Sequence, residues 1–307
     1  MANMAKNLSQ QYIWLAETIL SAERITFKEI ADKWRTSVAN HEGSRLSKRT
    51  FHNWKVKAEE ALDLIIDCEK CTPYRYYIGN VDELKSGFKS WLMSSMSTLG
   101  LLMDNVKLRD RILLEPVPTA EDKLPVVLRS MQEGKCLEVD YHGLWSDNDS
   151  HLTLEPYCVK LFRQRWYLLA RSVAAEHGDL RVFSLEGISN AVISESKFAM
   201  PDDFSASDYF SEFFGIIADR NVELELVKIK ADEVQARYIR AVPLHHSQSE
   251  TPLADGGSVF SYYLRPHYDF VQQILSLAGR VEVLCPESLR QTIAQHLKTA
   301  LDIYAQP

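Results

Sequence analysis

Two basic clusters hold the residues best suited to chemistry. Between Gly43 and Ala58 the chain carries Arg45, Lys48, Arg49, Lys55 and Lys57 without one carboxylate among them, and His52 and Asn53 add hydrogen-bonding groups. Ser47 is placed to cap a helix, and Phe51, Trp54, Ala58, Ala61, Leu62 and Ile65 mark its expected buried face. Donors and cations near a helix N-terminus, itself electropositive, meet the needs of phosphate contact and base-edge reading. Lys48, Arg49, His52 and Asn53 therefore read as groups directed at duplex DNA. Arg45, Lys55 and Lys57 flank them, and Arg75 lies on a strand that follows.

The second cluster comprises Lys160, Arg163, Arg165, Arg171 and Arg181, with no acidic residue between Glu155 and Glu176. Such cations repel one another unless an anion is often present. Strand alternation sends Trp166, Leu168 and Ala170 to one face and Tyr167, Leu169 and Arg171 to the other. The first set reads as core. Tyr167 and Arg171 are expected to share an open surface where a base stacks on the ring while the guanidinium pairs with phosphate.

Other constellations carry no expected chemistry. Cys68-Glu69-Lys70-Cys71 has metal-site spacing but lacks a second pair of ligands nearby, so it reads as two free thiols. His245-His246 reads as part of an exposed polar loop. Neither a glycine-rich phosphate loop nor a nucleophile elbow occurs, and Asp255-Gly256-Gly257 reads as a hairpin turn. No catalytic residue, metal or cofactor is expected.

The elements that must position these clusters fall into blocks. Two helices, around Leu8 to Ser21 and from a Thr26 cap through Trp34, precede the basic helix, and Tyr74 to Ile78 follows as a strand. This is the order of a winged helix-turn-helix, assigned to residues 1–80. Phe88, Trp91, Leu92, Met96, Leu99 and Met103 recur near helical period in a connector, and Pro116, Pro118 and Pro125 with Glu121 and Asp122 form a linker, so 81–122 is a helical connector and linker. Short strands then run from Cys136 to Ile193, with His151 to Glu155 and Tyr157 to Phe162 read as separate, giving a small antiparallel barrel or sandwich over 123–201. Strand and helix alternate from Asp202 onward, so 202–307 is an α+β domain. The fold class is α+β multidomain.

With 307 residues and a net charge of −7, any nucleic-acid binding must come from local patches in an acidic background. Five scattered cysteines and a start without a secretory pattern point to reduced thiols in a cytoplasm, and no apolar run is long enough for a membrane helix.

The run Pro156-Tyr157-Cys158-Val159-Lys160-Leu161-Phe162-Arg163-Gln164-Arg165-Trp166-Tyr167-Leu168-Leu169-Ala170-Arg171 resembles the signature of the WYL domain. The likeness extends to Val139-Asp140-Tyr141, to Arg181-Val182-Phe183-Ser184-Leu185, to Phe198 and to Phe214-Gly215-Ile216. Ser47-Lys48-Arg49-Thr50-Phe51 is similar to the start of recognition helices in bacterial regulators of this class. The resemblance implies an Sm-like or SH3-like barrel that senses a nucleic-acid or nucleotide ligand, such as single-stranded DNA or a cyclic dinucleotide. Tyr141, Lys160, Arg163, Arg165, Tyr167, Arg171 and Arg181 form the expected ligand site. It further implies a DNA-binding domain before the barrel and an extension after it that assembles a homodimer on an operator. One departure stands out: many family members have an arginine after the acidic residue where this chain has Glu186-Gly187-Ile188. Two alternatives stay open, an enzyme acting on nucleotides or nucleic acid and a non-enzymatic protein-interaction module.

Overall fold

The computed structural model describes residues 2–37, 39–40, 43–81, 90–92, 94–95, 98–99, 102, 106–113, 120, 122–143, 149–174 and 179–305. Phe88, Met96 and Met103 of the expected connector, Pro116, Pro118 and Glu121 of the linker, and the expected turns at 146–148 and 177–178 lie outside them. The chain divides into two compact units, Met1–Glu115 and Pro116–Pro307.

In the first unit, α1 (Ala2–Ala22), β1 (Ile25–Thr26), α2 (Phe27–Arg35) and α3 (Lys48–Leu62) lead into the hairpin of β2 (Ile66–Cys68) and β3 (Arg75–Ile78). The three strands pair antiparallel in the order β1-β3-β2. Local chemistry sets the helix starts. Thr26 and Glu29 form a reciprocal capping box on α2, and the Ser47 hydroxyl accepts from the Thr50 N–H at the head of α3. Asp63 adopts the left-handed conformation that ends α3.

A chain of aromatic edges fixes the angle of α3. Trp34 meets Trp14 at 4.9 Å and Trp54 at 4.8 Å, while Phe51 meets Phe27 at 5.4 Å and Tyr76 at 4.7 Å. Phe51, Trp54, Ala58 and Leu62 are buried as the pattern predicts. Ile65 is not: it lies beyond the left-handed Asp63, off the helix, and is 51% exposed. Ala61 is exposed as well, on the flank of the helix.

The second unit opens with α4 (Leu124–Glu133), ended by Gly134 in the left-handed region, and continues into β4 (Lys135–His142), β5 (Asp149–Phe162), β6 (Arg165–Ser172), β7 (Leu180–Ser184) and β8 (Ile188–Lys197). Their order is β7-β6-β5-β4-β8, all neighbours antiparallel. The two strands expected around Pro156 are one. Proline lacks a ladder donor, and the chain accommodates it with a bulge between Pro156 and Cys158. Residues 149–154 of β5 pair with β4 and residues 154–162 pair with β6, so this long strand changes partner midway and curls the sheet. Val127, Leu137, Val139, Leu154, Leu168, Ala170, Phe183, Leu185 and Ile188 fill one face under α4.

After a short α5 (Ala206–Phe210), the chain forms β9 (Glu225–Ala231), α6 (Glu233–Ala241), β10 (Ser249–Pro252), β11 (Ser258–Leu264), α7 (Tyr268–Ser276), β12 (Val281–Cys285) and α8 (Glu287–Ala305). The sheet runs β10-β11-β9-β12, the split βαβ arrangement of a β-α-β-β-α-β chain. Its core packs Val227, Ile229, Phe260, Tyr262 and Leu264 against Ile239, Phe270 and Ile274. Among the described residues no helix is long and apolar enough to cross a membrane.

Candidate nucleic-acid interface and sensor groove

The first cluster sits on α3 and around it. Arg45, Lys48, Arg49, His52, Asn53 and Lys57 are exposed, opposite the buried Phe51, Trp54 and Ala58. Among the described residues no carboxylate pairs with Arg45, Lys48 or Arg49. The later lysines differ. Lys55 Nζ lies 2.9 Å from Glu59 and Lys57 Nζ 2.7 Å from Glu60, ion pairs at helical spacing that neutralise the C-terminal half of the run. The Glu60 carboxylate holds the Lys57 ammonium above its ordinary pKa. Free positive charge is therefore concentrated on the first turn and the residues before it, where the helix end adds its own.

Between α3 and the β2–β3 hairpin runs a groove of about 630 Å³, lined by Lys28, Lys48, His52, Lys55, Pro73 and Tyr74 among others. Arg75 is exposed at the loop end of the hairpin. Cys68 and Cys71 are free thiols in this hairpin, and no group of metal-ligating residues occurs among the described residues.

The second cluster does not stay together. Its expectation rested on a gap in the acidic residues along the sequence, yet Glu155 and Glu186 fold back into that gap. Arg171 Nε lies 2.5 Å from Glu155, and Arg165 donates from Nε and one terminal nitrogen to the two oxygens of Glu186 at 3.2 and 3.4 Å. Lys160 is largely buried, donates to the Gly215 carbonyl and stands 3.9 Å from the centre of the Phe210 ring. Burial pushes its ammonium down to about 8. Arg163 and Gln164 take positive φ in the two-residue turn between β5 and β6, and the Arg163 guanidinium donates to Gln273 Oε1 at 2.7 Å.

The expected open surface of Tyr167 and Arg171 is corrected in the same way. Trp166, Leu168 and Ala170 do face the core, but Tyr167 and Leu169 on the other face are buried too, Tyr167 at 8% exposure. The segment after β8 covers this face, with Tyr157 against Phe198 and Phe204, and Tyr209 beside Phe204. A strand covered on both sides shows continuous burial, which alternation in the sequence does not predict.

What remains is a groove of about 490 Å³ in which Tyr141, Tyr167 and Arg181 meet Val182, Ser184 and the opposing stretch from Ile216 to Asp219. Arg165, held by Glu186, lies 5.8 Å from the centre of the Tyr167 ring. Four of the seven expected ligand residues thus converge, and Lys160, Arg163 and Arg171 are engaged elsewhere. Burial pushes the Tyr167 hydroxyl up, and the Glu186 carboxylate raises Arg165 further. Both groups are hydrogen-bond donors at neutral pH. A second trough of about 910 Å³ shares Leu180, Arg181, Tyr209, Ala218 and Asp219 and adds Arg220, Asp179, Asp203 and Asp208.

Gly187 explains the departure noted in the sequence. A Cβ built there stands 2.8 Å from the His142 carbonyl oxygen, 2.8 Å from Tyr141 Cε2 and 3.0 Å from Ser184 Oγ. No side chain fits at this position without displacing Tyr141, a wall of the groove.

Sequence reasoning misplaced or missed two features. His245, expected to be exposed, is buried, with Nδ1 2.7 Å from Ser247 Oγ and Nε2 in hydrogen-bond contact with no group among the described residues; burial lowers its pKa to about 4. The wall from Ile216 to Asp219 was signalled only by the Phe214-Gly215-Ile216 motif.

Comparison with known families assigns residues 122–193 to the WYL domain and residues 223–301 to the WCX domain. No curated protein sequence matches the chain. Among solved structures, the chain is similar to proteasome accessory factor B/C (PafBC) of Arthrobacter aurescens, at 16% identity and a TM-score of 0.40, over 98% of this chain and 48% of that one. It is also similar to a CRISPR Cas-related protein, at 11% identity and a TM-score of 0.40, over 98% of this chain and 85% of that one. The chain thus spans about half the length of the first of these structures.

Proposed function

We propose that this chain, which carries a WYL domain followed by a WCX domain, is a transcription regulator that binds duplex DNA through a winged helix and senses a nucleotide or short nucleic acid in the groove of its WYL domain. The observation that carries the DNA half is the exposed set Arg45, Lys48 and Arg49 at the N-terminus of α3, which pairs with no carboxylate among the described residues, with His52 and Asn53 one turn on. Its three helices and hairpin suit a recognition helix in the major groove with the hairpin as wing. Phosphates meet the helix end, and His52 and Asn53 reach base edges.

Each neutralised phosphate adds about 0.9 to the slope of log affinity against log salt. With duplex DNA from the region upstream of the gene, Lys48→Ala/Arg49→Ala weakens binding and lowers that slope by up to about 1.8. An unchanged slope removes α3 as the recognition helix. The sensor half rests on Tyr141, Tyr167 and Arg181 lining one groove, with Arg165 beside the Tyr167 ring. Titration of single-stranded oligonucleotides and cyclic dinucleotides should show binding that Arg181→Ala and Tyr167→Leu weaken. Equal binding by wild type and both variants refutes this site.

The protein acts as a homodimer in this reading. Leu297, Leu301 and Tyr304 recur along α8 and are 49%, 66% and 89% exposed, a stripe of the kind that packs on a second helix. Light scattering of Leu301→Glu/Tyr304→Glu should report a monomer where the wild type reports a dimer. Nuclease or other catalytic activity is not expected, and labelled DNA incubated with magnesium or manganese should remain intact.

A further inference from the structure

The wall of the sensor groove is one face of a strap, residues 212–222, fastened at the β11–α7 corner of the last domain and on β5 of the five-stranded sheet. Arg265, at the end of β11, binds both ends of the strap. Its Nε meets Glu212 Oε2 at 2.8 Å, and one terminal nitrogen donates to the Arg220 carbonyl at 3.2 Å and the Val222 carbonyl at 2.5 Å. Its own N–H donates to the Glu212 carbonyl at 2.8 Å. The Asp269 carboxylate, in the first turn of α7, holds the middle: one oxygen accepts from the Ile216 N–H at 2.7 Å and the Ile217 N–H at 3.0 Å. Phe214 inserts between Phe162 of β5 and Phe270 of α7, with ring centres 6.0 and 5.7 Å away.

The fit around Asp269 is close. Gly215 has φ of 89°, and a Cβ there would overlap the Asp269 carboxylate, so the backbone passes where only glycine fits. The same peptide receives Lys160 from β5 on its carbonyl. Asp219, at the far end of the wall, lies 3.6 Å from His267, the residue that precedes the first turn of α7. Each of these fastenings is on β5 or at the β11–α7 corner. Residues Ile216 to Asp219 between them face Tyr141, Tyr167 and Arg181 across the groove.

We infer that Arg265 and Asp269 are positioning residues for the sensor site, and that filling the groove displaces the 212–222 strap and, through them, the first turn of α7. This rests on the sensor reading for its ligand but not for its mechanics. Coupling between two sites requires an element that both bias, and the strap is the segment that borders the groove and is bonded to the α7 end of the last domain. Because buried donors and acceptors are costly to leave unmade, displacement of Ile216 and Ile217 is transmitted to Asp269.

Amide hydrogen exchange on the full chain tests this without any ligand. Val182→Trp places a large ring in the groove from its opposite wall. Relative to wild type, it should raise exchange at Ile216 and Ile217 roughly tenfold and change exchange at residues 268–271 as well. Asp269→Ala combined with Val182→Trp should keep the first change and lose the second. Val182→Phe, a smaller insertion, repeats the measurement should tryptophan prevent folding. A groove variant that leaves both segments unchanged, one that moves the strap alone, or a double variant that still transmits overturns the inference. In a parallel arm the dinucleotide pApA is added to wild type. Failure of pApA to bind while Val182→Trp still transmits counts against the ligand class and leaves the strap standing.

Discussion

Gly187 gives the sharpest test of the sensor groove, because the expected magnitude can be worked from the distances around it. A methyl group added there meets a backbone oxygen at 2.8 Å and an aromatic carbon at 2.8 Å, where ordinary van der Waals contact begins several tenths of an ångström further out. Ser184 Oγ, at 3.0 Å, can rotate away, but the His142 carbonyl belongs to the end of β4 and cannot. The ring of Tyr141 is held edge-on to Phe183 at 5.1 Å, so moving it disturbs a core residue. Overpacking of this kind costs about 1–3 kcal/mol. For a unit the size of Pro116–Pro307, each kcal/mol moves the melting temperature by about 2–4 °C, so Gly187→Ala should lower it by roughly 2–12 °C. Gly187→Arg, the residue that the resemblance to WYL domains leads one to expect here, carries the same Cβ and should lose at least as much. Near-ultraviolet circular dichroism followed through thermal unfolding reads both the loss and the displaced tyrosine. A Gly187→Arg protein as stable as wild type, binding anionic ligands more tightly, would show that the backbone yields and that glycine here is a choice of affinity rather than of space.

Further outcomes follow from other parts of the molecule. Ser47→Ala removes the hydroxyl that accepts from Thr50 and should destabilise the first unit by about 1 kcal/mol, read as an earlier midpoint in urea; no change would remove the cap from the account of α3. Single substitutions along α3 should sort by pairing: Arg49→Ala weakens DNA binding markedly, whereas Lys57→Ala, already tied to Glu60, changes it little, and equal effects would contradict that division. His245 is lowered from 6.5 to about 4 by burial, so between those values the unfolded chain binds more protons than the folded one and stability falls as pH falls. His245→Asn should flatten this part of the stability profile. The Lys160 ammonium, lowered from 10.5 to about 8, gives the same sign at higher pH: stability rises from pH 8 to 10.5, and subtracting the profile of Lys160→Met should isolate that rise.

Much of the fold was legible because it is written in local chemistry. The capping residues Thr26 and Ser47 and the apolar face Phe51-Trp54-Ala58-Leu62 each act within a few residues of themselves, whereas α4 is hidden because Pro125, which sits in its first turn, reads as part of a linker. Pro156 misled for a local reason: proline argues against a strand interior, and only a bulge, invisible in the sequence, makes room for it. Ile65 misled because helical period was carried past a residue that adopts a left-handed conformation.

The site was less legible, and the reason is electrostatic as much as topological. Counting charges along the chain found Lys160, Arg163, Arg165 and Arg171 in a stretch with no acid between Glu155 and Glu176, and Arg181 just beyond it, but a strand's partners come from other strands. Glu155 lies directly across the β5–β6 ladder from Arg171, and Glu186 follows the end of β7 beside Arg165. Two of the five charges are therefore neutralised by carboxylates of the chain itself, and Lys160 and Arg163 are held by neutral acceptors. Arg181, on the edge strand, keeps its guanidinium exposed, and Arg165 keeps its place near Tyr167 because Glu186 fixes it there. Among the described residues a ligand in this groove meets Arg181 and two tyrosines, with the tethered Arg165 beside Tyr167, while Asp179, Asp203, Asp208 and Asp219 outnumber Arg181 and Arg220 in the adjoining trough. Extended polyanions are repelled along that path, so the arrangement favours a short nucleotide over a long single strand. Comparing a dinucleotide with a twelve-residue oligonucleotide at low and high salt decides the point: if the longer strand binds more tightly at low salt, the aspartates do not govern the groove.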